Sequence, residues 1–204
     1  MYEKYIKRLL AVILSLLGII CLSWLFILIA LAIKLDSPGP VLFRQKRVGA
    51  GKTYFEILKF RTMRTDTPSD VATHLLCDPE QYITPLGRFL RRFSLDELPQ
   101  LFNILWGDMA IVGPRPALWN QFDLIEERDR YGANDIRPGL TGWAQINGRD
   151  ELGIDIKAKF DGEYVEKMSF AFDFRIFWAT VGKVIRHDGV AEEGTLEDQY
   201  NINQ

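Results

Sequence analysis

The chain has 204 residues, of which 48% are hydrophobic and 25% charged, and its formal net charge is -2. This length and composition suit one domain with a buried core and exclude a disordered tail. Residues 1–149 hold 19 Lys/Arg against 15 Asp/Glu, whereas residues 150–204 hold 6 against 12. An anionic partner is therefore expected on the first three quarters of the chain.

Cysteine and histidine are scarce. Cys21 and Cys77 lack CxxC spacing, and His74 and His187 stand alone in the sequence. The sequence therefore predicts neither a disulfide framework nor a zinc site, and it favours a reducing compartment.

A long apolar segment lies near the N-terminus. Residues 9–33 carry no charge over 25 positions. Basic residues flank both ends, at Lys4, Lys7, Arg8 and Lys34. A helix rising about 1.5 Å per residue could cross a hydrocarbon core of about 30 Å with this length. A cleaved signal peptide is an alternative, because Ala30 and Ala32 form an A-x-A-like site, but the apolar run is longer than usual for one. Basic residues between 44 and 52 favour a cytoplasmic location for the rest of the chain.

A domain boundary and a hairpin follow. The two prolines and the glycine at 36–40 break the helix and mark the boundary. Residues 41–49 and 52–63 are rich in β-branched and aromatic side chains around a glycine-rich turn, which predicts a β-hairpin. Lys59 and Arg61 are predicted to share one face of its second strand.

Two helices are indicated by start and stop signals. Thr84 followed by Pro85 predicts the start of a short helix. Apolar residues at helical spacing over 98–105 predict an amphipathic helix that ends before Gly107.

Two adjacent acids, Asp96 and Glu97, precede that second helix. Ser94 with Glu97 fits a capping box, and Asp96 could itself cap a helix whose first turn tolerates Pro99. The same positions fit a catalytic interpretation, because a helix N-terminus and nearby arginines favour the ionised carboxylate that attacks or binds Mg²⁺. Spacing alone favours the capping interpretation.

Basic side chains recur in short motifs bounded by turn residues: Lys59, Arg61, Arg88, Arg91, Arg115, Arg137 and Arg149. Such a set suits a diphosphate substrate, although a solvated basic face is equally compatible with it. Arg115 lies between two prolines in a stiff extended link, and residues 137–139 predict a type II turn. An apolar helical stripe over 174–184 is predicted to pack into the core, with contact to lipid as the alternative.

Three segments together resemble the bacterial sugar transferase family: KFRTM at 59–63, the stretch 91–116 that contains the acids and GPRP, and RPGLTGWAQINGR at 137–149. These are monotopic phosphoglycosyl transferases that start glycan assembly on polyprenyl phosphate. The resemblance extends from the apolar segment to about Val190, and the chain looks most like the small PglC-like members.

The resemblance implies an α/β fold in three parts. Residues 1–36 would be a membrane-embedded, re-entrant helix. Residues 37–190 would form a catalytic domain with a short β-hairpin and several amphipathic helices on the membrane surface, and residues 191–204 a polar tail. Small members break the first helix with a Ser-Pro pair, whereas Ser23 here precedes Trp24. A straight spanning helix with an outside N-terminus therefore stays open.

The resemblance also implies a reaction. An enzyme on the cytoplasmic face of the bacterial inner membrane would move a sugar 1-phosphate from a UDP-sugar to undecaprenyl phosphate, with Mg²⁺ and a covalent ping-pong intermediate. Its partners would be these two substrates, inner-membrane lipid and candidate downstream glycosyltransferases, with no nucleic acid. A Mg²⁺-dependent hydrolase of nucleotide diphosphate sugars and a non-catalytic, membrane-anchored assembly factor are the alternatives. The sugar is not readable from the residues.

The family's site residues map onto this chain by motif. Asp96 would be the nucleophile and Glu97 its partner in metal binding or proton handling. The substrate phosphates would bind Lys59, Arg88 and Arg115. The nucleotide pocket would contain Arg137, Gly139, Gln145 and Arg149, although Gly139 and Gly148 fit a role as turn residues equally well.

Overall fold

The structure is a computed structural model that describes residues 2–67, 79–148 and 152–186. Arg149, Cys77, the two histidines and the predicted tail lie outside the described residues.

The apolar segment forms two helices instead of one. A π-helical segment, Tyr2–Lys7, leads into α1 (Arg8–Cys21), and α2 (Ser23–Asp36) follows after a bend of 62°. The bend lies at Leu22, whose backbone leaves the helical region at φ -98° and ψ 7°. The Ser23 hydroxyl donates to the Ile20 carbonyl at 2.9 Å, the kind of side-chain bond that accompanies bent helices. The straight helix left open by the sequence is therefore wrong.

Both helical arms contact the domain that follows them. Within the described residues no single helix is long and apolar enough to cross a membrane, although the bent pair together meets that test by length and composition. Gly18 of α1 lets Leu101 approach closely, because a Cβ at Gly18 would lie 3.2 Å from Leu101 Cδ1. Ile33 of α2 packs with Phe60 and Leu90. The other faces of the arms expose large apolar side chains: Ile13, Leu17, Ile20, Trp24, Ile27 and Leu31.

The predicted hairpin is confirmed. Strands β1 (Leu42–Val48) and β2 (Tyr54–Phe60) pair in antiparallel register. Strand β2 ends before Arg61, whose guanidinium instead donates to the carbonyls of Ser37 and Pro38 behind α2. Arg61 thus ties the second arm to the domain, and the prediction that it shares a strand face with Lys59 is wrong.

Helices α3 (Pro85–Arg92) and α4 (Gln100–Trp106) pack beside the hairpin. The Thr84 side chain accepts from the Gly87 N–H at 3.0 Å, and Gly107 ends α4 at φ +104°, so both predicted helix boundaries are confirmed.

The side chain of Asn103 joins α4 to the open edge of β2. Its Oδ1 accepts from the Leu58 N–H at 2.9 Å, and its Nδ2 donates to the Glu56 carbonyl at 2.8 Å. Asn103 has no exposed surface. One amide thus takes the place of a neighbouring strand and fixes α4 in register with β2.

A second, smaller sheet forms the other half of the domain. Strand β3 (Ala110–Val112) pairs in parallel with β4 (Gly139–Thr141), and α5 (Phe122–Asp129) lies between them in sequence. A Cβ at Gly139 would lie 2.1 Å from the Gly113 nitrogen, so close backbone approach requires glycine there. Gly139 begins a strand and its φ is not positive, so the predicted type II turn is wrong.

Three helices complete the described fold: α6 (Trp143–Asn147), α7 (Ile154–Lys167) and α8 (Phe170–Arg186). The described residues thus form eight α-helices and two small sheets, which agrees with the predicted mixed α/β class. The predicted core stripe of α8 is wrong, because Phe174 and Trp178 are 56% and 55% exposed while Ile176 faces the core. Helix α8 has apolar residues on both sides, and helical spacing does not indicate which side is covered.

The start of the first arm is fastened to this last pair of helices. The Lys7 ammonium bonds Asp173 at 2.9 Å and also contacts the Tyr164 hydroxyl. Tyr164 donates to Asp173 at 2.6 Å, and burial, followed by the Asp173 charge, raises the pKa of Tyr164. The N-terminal end of the bent pair is therefore fixed to the same domain as its C-terminal end.

Candidate active site

Asp96 and Glu97 lie on one short 3-10 turn, Leu95–Glu97, between α3 and α4. Ser94 before it has φ +54°, a left-handed conformation that is uncommon outside glycine and costs of order 1 kcal/mol. Among the described residues, no side-chain capping bond closes either this turn or the start of α4. The capping interpretation of these residues is therefore wrong, and backbone strain is retained immediately before the acids.

Glu97 is held between two cations from different parts of the fold. Its Oε1 lies 2.7 Å from Lys59 Nζ on β2 and 3.4 Å from Arg115 Nη1 in the loop after β3. Lys59 Nζ stands 4.0 Å from Asp96 Oδ2, beyond hydrogen-bond range. The structure thus brings together four residues predicted from the sequence, with Glu97 as the direct partner of both cations.

Asp96 is nearly inaccessible to solvent, with 8% of its surface exposed. Burial raises the pKa of Asp96 above its ordinary value, and the adjacent Glu97 charge raises it further. Lys59, Arg91 and Arg115 oppose that rise, with Lys59 contributing most. The ionised form that could act as a nucleophile therefore depends on the surrounding cations.

The basic residues of α3 divide between the site and the surface. Arg88 is exposed and pairs with Glu80 at 2.9 Å, and it is not among the charges that act on Asp96. Arg91, one turn later, donates to the Thr62 hydroxyl at 3.0 Å, and its charge does act on Asp96. Arg91 was not among the residues mapped to the site, although it belongs to the same basic set.

Gln100 is a further site candidate, which lies in the stretch 91–116 but has no role assigned from the sequence. It lies four residues after Asp96 in the first turn of α4, and only 2% of its surface is exposed. Its Nε2 has no hydrogen-bond partner in the part of the chain that the structure describes. A buried donor without a partner is unfavourable, and such groups occur at ligand and water sites.

The loop that carries Arg115 is fastened at both ends. The Gly113 N–H donates to the Thr141 carbonyl at 2.8 Å, and Arg47 of β1 donates to the Pro116 carbonyl at 3.0 Å. Together with the two fixed proline φ angles, these bonds position the Arg115 guanidinium against Glu97.

The sequence model described as "Bacterial sugar transferase" matches residues 2–187. The chain belongs to this bacterial sugar transferase family. The identification made from the three motifs is confirmed.

Three relatives show the range within the family. An undecaprenyl-phosphate glucose phosphotransferase of Komagataeibacter xylinus is 43% identical over 84% of the chain, which spans 34% of that protein. An uncharacterised sugar transferase of Bacillus subtilis, EpsL, is 39% identical over 85% of both chains. A UDP-N-acetylgalactosamine-undecaprenyl-phosphate N-acetylgalactosaminephosphotransferase of Aeromonas hydrophila is 35% identical over 89% of the chain and 44% of its own length.

The sugar transferase residues assigned to the nucleotide are only partly brought together. Gly142, at the start of α6, abuts the loop of Arg115, since a Cβ there would lie 2.1 Å from the Gly113 carbonyl oxygen. Gln145 in the same helix donates to the Leu140 carbonyl at 3.3 Å, and its buried Oε1 has no partner among the described residues. Gly139 lies in the adjoining strand β4.

Arg137 lies elsewhere. Its Nε donates to the Gly107 carbonyl at 2.9 Å, at the far end of α4 from the acids. Seven residues of helix separate the two ends by about 10 Å. Arg149 lies outside the described residues, so the structure does not place it.

The acid pair offers the number of carboxylates that Mg²⁺ commonly takes from a protein. In the described ranges no group of three or more His, Cys, Asp or Glu side chains comes together. Mg²⁺ commonly takes one or two carboxylates and completes its shell with water and substrate phosphate oxygens. Asp96 and Glu97 supply that number of hard oxygen ligands.

Proposed function

We propose that this protein transfers a sugar 1-phosphate from a UDP-sugar to undecaprenyl phosphate and releases UMP, the first membrane step of a bacterial glycan pathway. The observation that carries the proposal is the buried carboxylate of Asp96 beside Glu97, with Lys59 and Arg115 converging on the pair. The names of the glucose and N-acetylgalactosamine relatives support the same reaction class.

The first half-reaction uses Asp96 as nucleophile. One of its carboxylate oxygens bonds to the sugar-proximal phosphorus of the UDP-sugar, the bond from that phosphorus to the bridging oxygen breaks, and UMP leaves with that oxygen. Lys59 and Arg115 stabilise the charge that develops on the phosphoryl oxygens. Their bonds to Glu97 keep both cations in place before the donor arrives.

In the second half-reaction, Asp96 is the leaving group. An oxygen of undecaprenyl phosphate bonds to the same phosphorus, the aspartyl bond breaks, and Asp96 returns to its starting form. Two unlike substrates thereby use one site in turn, which is ping-pong kinetics. Mg²⁺ held by Asp96 and Glu97 would neutralise phosphate charge in both steps.

The bend between α1 and α2 supports a re-entrant membrane segment in the cytoplasmic leaflet of the inner membrane. Lys7 at one end and the 37–38 backbone at the other are bonded to the same domain, so both ends lie on one side of the bend. The exposed aromatic face of α8 would lie in the membrane interface. A polyprenyl phosphate head group would then reach the site without leaving the bilayer, and downstream glycosyltransferases would take the product.

The test uses the full chain in detergent with undecaprenyl phosphate, Mg²⁺ and a panel of UDP-sugars. UMP release should occur with one or few donors and should vanish in Asp96→Asn, while Asp135→Asn, at an exposed aspartate, should retain it. Intact mass of enzyme quenched without acceptor should show a phosphosugar adduct that maps to Asp96.

Two outcomes would reject the proposal. Turnover retained in Asp96→Asn would place the nucleophile elsewhere. Continuous UMP release without any lipid acceptor, in place of a single burst, would instead indicate a hydrolase.

A further inference from the structure

Two arginines from distant parts of the chain meet at the end of α4. Arg8 donates to the carbonyls of Ile104 and Leu105, the latter at 2.9 Å, and Arg137 donates to the Gly107 carbonyl. A Cβ at Gly107 would lie 3.2 Å from Arg8 Nη2. Both guanidinium groups therefore border the same glycine, 129 positions apart in sequence.

Neither of the two like charges forms a direct ion pair among the described residues. In residues 2–67, 79–148 and 152–186, neither arginine has an Asp or Glu oxygen within 4.0 Å. Glu3 lines the same cavity, and Asp108 is close enough to act on Arg8 electrostatically. The C-terminal dipole of α4 offsets only about half a charge. Neither guanidinium group is thus bonded directly to a carboxylate among the described residues, although Glu3 and Asp108 lie nearby.

The small cavity beside them, of about 20 Å³, has both charged and apolar lining residues. Arg8, Arg137 and Glu3 line it together with the apolar side chains of Ala11, Met109, Ile136 and Met168. Lys7 also borders the cavity, but its ammonium is bonded to Asp173. A ligand with an anionic group next to hydrocarbon matches such a lining.

Position along α1 indicates where the pair lies relative to lipid. Arg8 is the last charged residue before the uncharged run 9–33. With α1 in the membrane, its guanidinium lies at the depth of lipid phosphates. Trp106, adjacent to Gly107, is 65% exposed, and tryptophan is enriched at that depth.

We propose that Arg8 and Arg137 bind the phosphate group of a membrane lipid, at a site separate from the reacting centre. The inference rests on the membrane insertion of α1 and α2 given in the proposed function, but not on the transfer reaction. The acids lie at the opposite end of α4, about 10 Å away, so this phosphate is not the one that Asp96 attacks. A lipid held here fixes the depth of α4, and with it the depth of the acids.

The test measures lipid binding by native mass spectrometry of the full chain in neutral detergent, titrated with phosphatidylglycerol or phosphatidylcholine and without nucleotide. Arg137→Gln is the main variant, because Arg8 also bonds two helix carbonyls and its loss threatens folding. Arg44→Gln is the matched control, since it removes one exposed arginine of the hairpin. Phosphatidylglycerol should bind Arg137→Gln about tenfold more weakly than it binds the wild type or the control.

Each outcome decides. Equal phosphatidylglycerol affinity of Arg137→Gln and Arg44→Gln overturns the site. Displacement of the lipid by excess inorganic phosphate overturns the lipid assignment and indicates a free-anion site. Undecaprenyl phosphate that displaces phosphatidylglycerol supports a phosphate lipid and names the acceptor as a second occupant. A wild type that binds phosphatidylglycerol through Arg137 but releases no UMP from any donor supports this inference and counts against the proposed reaction alone.

Discussion

Replacing Asn103 by leucine should strongly destabilise the fold. The substitution keeps the size of the side chain but removes both bonds to β2, leaving the Leu58 N–H and the Glu56 carbonyl without partners. An unpaired buried main-chain group costs about 1–3 kcal/mol, and the Glu56 carbonyl is only partly buried. The expected loss is therefore about 3 kcal/mol, which for a chain of this size lowers Tm by roughly 6–12 °C.

The assay is thermal and urea unfolding of the full chain in detergent, followed by tryptophan fluorescence. Asn147→Leu is the control, because Asn147 is exposed and, among the described residues, its amide bonds only the Trp143 carbonyl within α6. Exposed substitutions of this kind change stability by about 0.5 kcal/mol or less. UMP release should also fall in Asn103→Leu, since the amide sets the register between α4 and the strand of Lys59.

A loss below about 1 kcal/mol for Asn103→Leu would refute the reasoning, because it would mean that water or a shift of α4 replaces both bonds. Full activity of Asn103→Leu at a temperature where it stays folded would show that the register of α4 on β2 does not determine the position of Lys59.

Three other predictions concern the site and its support. Lys59→Met should lower turnover and move the acid limb of the pH–rate profile to higher pH, because Lys59 contributes most to the ionised form of Asp96; an unmoved limb would contradict this. Asp96→Asn should melt above the wild type at neutral pH, with the difference vanishing at low pH, since the raised pKa of Asp96 means that folding loses stability as pH rises through it. A wild type that is as stable at neutral pH as this variant would contradict the buried-charge argument. Gly139→Ala should cost about 3 kcal/mol in urea unfolding, because the added methyl meets Gly113 backbone atoms; Gly51→Ala adds a methyl in open space, although φ +60° carries its own smaller strain.

Local signals predicted local structure well. Thr84 with Pro85 and the glycine after α4 marked helix ends correctly, because capping and left-handed termini depend on neighbours in sequence. The hairpin followed from its own side chains and turn. The chemistry of Asp96 and Glu97 was not decided by such signals, since a capping box and a reactive pair have the same spacing.

Sequence-based predictions were wrong where a contact between residues far apart in sequence determines the structure. Gly139 looked like a turn residue, but the backbone of Gly113, which touches it, lies 26 positions away. The sequence also does not show that Arg91, one turn of α3 after Arg88, is the arginine that bonds Thr62. No proline marks the bend at Leu22, so the sequence left a straight helix open.

Helix α4 connects the acids to the first helical arm. Its first residues follow the turn of Asp96, its middle is bonded to β2 by Asn103, and its last carbonyls accept from Arg8 of α1. A helix of seven residues is too short to be stable alone, so these three attachments hold it. With α1 in the membrane as proposed, the depth of Arg8 would be transmitted over about 10 Å to the acids through this helix. Changes at the Arg8 end should therefore alter the use of the lipid acceptor more than the release of UMP from the donor.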